Sequence, residues 1–137
     1  MAYERLNFTK LLAAIQGKIQ KKTGLNCYDA VPKNAKSPFY FAEIIQTLPA
    51  NSKTMYRDNF TVYIHAIAKE NDSSVDIYDL IDGLQEALTE DISLPEPFDL
   101  VMQTDNGVQT IKTDESKEKH AILSHTFTVC YGFKCKV

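Results

Sequence analysis

The sequence predicts an α+β fold, a two-layer sandwich with two helices on one face of a mostly antiparallel sheet of about four to five strands. Three observations predict it. First, Phe8, Leu11, Leu12, Ile15 and Ile19 recur at i, i+3, i+4, i+7 and i+11, and Ile77, Leu80, Ile81, Leu84 and Leu88 repeat that spacing. Each set is one apolar stripe at the helical period. Second, Phe60, Val62, Ile64 and Ala66 alternate with Thr61, Tyr63 and His65, the period-two pattern of a half-buried strand. Third, Leu123, His125, Phe127, Val129, Tyr131, Phe133 and Cys135 share one parity, and Ser124, Thr126, Thr128 and Lys134 the other. That makes a long, one-sided final strand. Two stripes and one apolar sheet face can all be buried only if both helices lie on the same side of the sheet.

In chain order the elements read α-β-β-β-α-β-β. The first helix is expected over residues 4–22, with Lys18, Lys21 and Lys22 at its carbonyl end and Gly24 as a left-handed stop. Residues 26–31 make a short edge strand that runs into Pro32. A turn bracketed by Pro32 and Pro38 releases into residues 39–48 (FYFAEIIQTL), whose apolar side chains occupy both parities. That strand is expected to be central and covered on both faces, ending at Pro49. Residues 50–56 are a polar loop, and the third strand spans 57–69. The break at 70–74 offers side-chain caps for the second helix. On that helix Asp76, Asp79, Asp82, Glu86 and Glu90 fall opposite the apolar stripe, while Gly83 lies on the acidic side, where it reflects either the close approach of a neighbour or chance. Residues 94–97 (LPEP) end the helical region, and residues 98–104 make a strand. Asp105, Asn106 and Gly107 carry a hairpin-turn signal. Residues 109–119 are too polar to pack and read as a protruding loop or hairpin tip.

The chain has 137 residues, 44% of them hydrophobic, enough for one domain that builds its core without staples. Fifteen basic and eighteen acidic residues leave a net charge of −3. That field argues against non-specific DNA or anionic membrane binding as the main task. No apolar run approaches the roughly 18 residues of a spanning helix, and the first ten residues lack a signal-peptide pattern. Synthesis in a cytoplasm is therefore expected. Cys27, Cys130 and Cys135 are an odd set that does not suggest a disulfide framework.

Little points to catalysis. The acidic helix stripe is solvated by construction, whereas acid/base work needs carboxylates in differently perturbed, enclosed environments. His65, His120 and His125 lack a metal-type spacing, so no metal is expected; His125 reads as a hydrogen-bonded core or rim histidine. Cys130 and Cys135 fall on opposite faces of a strand. No phosphate loop, nucleophile elbow, GxGxxG or CxxC is present. What stands out is contact surface. The loop at 50–56, with Lys53, Met55, Tyr56 and Arg57, the strand residue Tyr63, and the excursion at 105–119, with Asp105, Asn106, Lys112 and Lys117, form the candidate interface. Met55, Tyr56 and Tyr63 are expected to be exposed near a sheet edge. A small enzyme or ligand-binding domain around Tyr63 and His65 is the reading from another class.

The order of these segments resembles a known family. An amphipathic helix ending in TGLN is followed by YDAVP, a proline-bracketed turn and PFYFAE. A polar gap, the alternating strand FTVYIHAIAKE and the helix SVDIYDLIDGLQEAL come next. This is similar to the tail terminator, or tail-to-head joining, proteins of long-tailed bacteriophages, with the likeness spanning residues 8–133. The resemblance implies a structural virion subunit without cofactor or catalytic residue. It implies closure into a ring, usually of six, on the end of the tail tube, with the tube protein and the head completion or connector protein as partners. DNA then passes through the ring without specific binding. On that reading Asp76, Asp79, Asp82, Glu86 and Glu90 become a candidate acidic lumen face, since carboxylates repel phosphate. A head-completion adaptor or a tube subunit is the neighbouring alternative.

Overall fold

Asn7 opens the first helix: its backbone is extended and its side-chain oxygen accepts the Lys10 N–H at 2.9 Å. Helix α1 therefore runs Phe8–Thr23, four residues later than the apolar pattern suggested at its start. Gly24 closes it at φ 72°, donating its N–H to the Gln20 carbonyl. The computed structural model describes residues 4–70, 73–113 and 117–134.

The remaining elements are β1 (Cys27–Tyr28), β2 (Phe39–Pro49), β3 (Met55–Ile67), α2 (Val75–Ala87), β4 (Asp99–Thr113) and β5 (Lys119–Phe133). The sheet order is β1-β2-β3-β5-β4. Among the described residues only the β1–β2 pair is parallel. Consequently β3 and β4 run the same way with β5 inserted between them, and α2 is the crossover that skips one strand. The predicted α+β class and element order are both present.

Both helices lie on one face. Leu11, Ile15 and Ile19 of α1 and Ile77, Leu80, Ile81 and Leu84 of α2 are buried together with Phe60, Val62 and Ile64 of β3 and Leu123, Phe127 and Val129 of β5. Each such side chain contributes roughly 1.5–3 kcal/mol on full burial. The hydroxyl of Tyr40 reaches the Leu80 carbonyl at 2.7 Å and passes beside Gly83, which is the close neighbour that glycine suggested.

Several expectations change. β2 is covered along its first half only, because the two-residue β1 pairs with Tyr40 and Phe41 and stops; Ile45 and Leu48 are about half exposed. β3 begins at Met55, so Met55 and Tyr56 belong to a strand and not to the polar loop. They are half-buried, as is Tyr63, and all three lie on a strand flanked on both sides. The Asp105-Asn106-Gly107 signal is a β-bulge inside β4, not a hairpin turn. Gly107 sits there at φ 90°, its N–H held by Asp105 Oδ1 at 2.7 Å. Residues 109–113 complete that strand, and its partner β5 starts at Lys119 to match. Part of the expected loop, residues 114–116, and Cys135 lie outside the described residues.

Candidate functional site

The residues singled out in the sequence fall on separate surfaces. One end of the sheet gathers Lys53, Met55, Tyr56 and Arg57 with the last turn of β5. The Tyr56 and Tyr131 rings stack at 5.9 Å, the Lys134 ammonium lies 5.2 Å from the Tyr56 ring, and the Arg5 guanidinium lies 5.5 Å from that of Tyr131. The Lys134 N–H donates to the Thr54 carbonyl, and the Arg57 side chain ties itself to the Ala50 carbonyl at 2.8 Å. The result is a cationic, aromatic end with Phe133 more than half exposed.

Asp58 lies beneath that end. It is 3% exposed, Arg5 Nε stands 3.5 Å from Oδ2, and Oδ1 has no hydrogen-bond partner among the described residues. Burial pushes its carboxyl above the ordinary range, and Arg5 partly offsets this. Arg5 thereby fastens the segment before α1 to the sheet. The sequence carried no signal for this pair, because the two residues are distant in the chain and an aspartate on an apolar parity reads as an exception.

The outer edge is β4, where Asp105, Asn106 and Lys112 are exposed, with Lys117 in the connection between β4 and β5. Asn106 donates across to Ser124 and Thr126 at 3.2 and 2.8 Å. Gln103, which sequence reasoning passed over, holds the crossover in place. Its amide donates to the carbonyls of Leu88 and Glu90, and its oxygen accepts the Ile92 N–H.

The acidic residues Asp76, Asp79, Asp82, Glu86 and Glu90 are all exposed. Glu90 stands past the end of α2, paired with Lys22 at 2.8 Å and Lys18 at 3.3 Å, which hold its carboxyl below the usual range. It therefore bridges to α1, whereas Asp79 and Glu86 line an open groove of about 440 Å³ between the helices.

The histidines divide. His125 is 1% exposed and among the described residues both ring nitrogens lack a hydrogen bond, with Asp105 3.9 Å away. His125 is thus the expected core histidine but without the expected hydrogen bond, because the bulge aims Asp105 mainly at the Gly107 N–H. Burial pushes the His125 imidazole down from its ordinary value, against the raising effect of Asp105. On the opposite, uncovered face His65 bonds His120 and Glu43, each at 2.7 Å, and stacks on Phe41. Three strands bring these together, which no spacing along the chain could show. Among the described residues no group of three or more His, Cys, Asp or Glu side chains has the arrangement to hold a metal ion. No described helix is long and apolar enough to cross a membrane.

A family model described as "Putative tail termination protein" matches residues 2–137. The chain belongs to this phage tail terminator family. It is accordingly a structural protein of the phage tail, located in the virion. Among solved structures, a chain of the "Virion of native gene transfer agent (GTA) particle" has the same fold, with a TM-score of 0.73 and 18% identity. That likeness covers 89% of this chain and 96% of the other. No curated protein matches.

Proposed function

We propose that this tail terminator family member closes with its own copies into a ring of six on the end of the tail tube. There it stops tube polymerisation and forms the tail side of the joint to the head completion or connector protein. The observation that carries the reading is the family match along residues 2–137. The surface suits such a role: a sheet with strand edges free to associate, a cationic aromatic end, and an open groove in place of an enclosed reactive cleft. Heterologous contacts between identical subunits close into a ring when the rotation allows. The chain's task is then geometric, without catalysis and without cofactor.

Within the ring we assign the acidic side of α2 (Asp76, Asp79, Asp82 and Glu86) to the lumen, where it repels the phosphates of passing DNA. Lys53, Met55, Tyr56 and Arg57 at one end, and Lys112 and Lys117 at the other, supply contacts to the neighbouring tube and head proteins. Tyr63, Asp105 and Asn106 line the sheet surface available to the next subunit.

Negative-stain imaging and light scattering of the full chain, alone and with the tail tube protein, test this. Discrete rings, and tubes that stop growing once the chain is added, are expected. Open-ended polymers of the chain itself would overturn the reading in favour of a tube subunit. A strict monomer that leaves tube growth unchanged would overturn it altogether.

A further inference from the structure

We infer that neighbouring copies join by adding the outer edge of β4 to the free half of β2, so that one sheet continues from subunit to subunit. This deepens the ring reading and rests on it.

Both edges are open in the structure. Beyond Tyr40 and Phe41, β2 pairs on its outer side with no strand among the described residues, and the same holds for β4 along its length. Such edges present backbone donors and acceptors that a further strand can satisfy. β2 and β4 are separated by three antiparallel steps and run in opposite directions. A second copy turned about an axis along the strands therefore offers its β2 antiparallel to the first copy's β4.

The rows of the sheet also match. Leu48 pairs with Asn59, Asn59 with Thr128, and Thr128 with Met102. Leu48 and Met102 thus end the same row on the uncovered face, 52% and 59% exposed. The following rows end in Thr47 with Gln103, in Gln46 with Thr104 and in Ile44 with Asp105, of which Gln46 and Thr104 share the uncovered face. Continuing the sheet without a shift sets one copy's Leu48 against the other's Met102. β4 bulges on either side of Met102–Asp105 and β2 bulges between Ile44 and Gln46. Bulges blunt an edge, and here they limit regular pairing to this short stretch, which fixes its register. Apolar side chains on both edges, with no lysine on either regular stretch, favour a second copy of this chain as the occupant.

Disulfide trapping tests it. In the full chain carrying Cys135→Ser, with Cys27 and Cys130 left buried, Leu48→Cys and Met102→Cys are combined and oxidised under ring-forming conditions with tube protein. A ladder of cross-linked oligomers is expected, and none when Tyr78→Cys on exposed α2 replaces Leu48→Cys. Leu48→Lys with Met102→Lys should weaken assembly by about tenfold or more, and Leu48→Glu with Met102→Lys should restore it. Intact rings without the 48–102 cross-link, or rings indifferent to the paired lysines, overturn this inference and leave the ring reading standing. Absence of rings under all conditions, read by light scattering on the unsubstituted chain, overturns both.

Discussion

Gln103 gives the sharpest test of how the crossover is held. One side chain satisfies three backbone groups of the segment that follows α2: the Leu88 carbonyl at 2.8 Å, the Glu90 carbonyl at 3.1 Å and the Ile92 N–H at 3.1 Å. Replacing it with leucine keeps most of the volume and removes every partner. At about 1 kcal/mol per net hydrogen bond the loss is about 3 kcal/mol. Water reaches the exposed Glu90 end and reduces this to about 2–3 kcal/mol. For a urea slope of about 1.5 kcal/mol per molar, the midpoint of unfolding falls by about 1.5 M with the slope unchanged. Gln103→Glu separates geometry from bulk: it retains the acceptor for the Ile92 N–H but turns an oxygen towards two carbonyl oxygens, so it should cost at least as much as leucine. Urea unfolding followed by circular dichroism reads both. A midpoint shift below about 0.3 M for the leucine variant would refute the reasoning, because the crossover would then be held by packing alone.

Other consequences follow from single side chains. His125, whose imidazole is depressed by burial from 6.5, binds a proton more tightly in the unfolded chain. Its contribution to stability is therefore full above about pH 6.5 and is lost as pH falls below that towards the folded value. His125→Leu should flatten urea stability between about pH 5 and 7 relative to the parent, and an unchanged slope would contradict this. Gly17, in α1 with no atom within 4 Å of an added Cβ, should accept alanine with a gain of about 0.8–1 kcal/mol in thermal or urea unfolding. Gly107→Ala should lose about 1–2 kcal/mol, because φ 90° in the bulge excludes a side chain; equal stability of the two variants would count against both assignments. Reversing Asp79, Asp82 and Glu86 to lysine should give rings that retain DNA with a steep salt dependence. Salt-independent behaviour in a filter-binding assay would remove the acidic side from the lumen.

Much of this was legible because it is local. The two helical stripes and the alternation in Phe60–Ala66 fix element type and buried face through period alone; the structure buries these residues except Phe8, 54% exposed in the first turn of α1, and Leu12, half-buried beside it. The bulge at Asp105–Gly107 was misread for a physical reason. The same residues that favour a two-residue turn, an aspartate oxygen and a glycine free to take positive φ, also stabilise an extra residue within an edge strand. Only the partner strand distinguishes them, and β5 pairs on both sides of Gly107.

By itself, then, the sequence determined the α+β class, the order of elements and the buried sides of the two helices and of β3, since a side chain's period depends on its neighbours along the chain. The tertiary structure decided what depends on strands meeting across the sheet. It set the order β1-β2-β3-β5-β4, left half of β2 and all of β4 as edges, and joined Glu43, His65 and His120. It also placed Arg5 over Asp58 and Gln103 under the crossover. Each of these is a contact between residues far apart in the chain, settled by which strand lies beside which, and no local pattern encodes that choice.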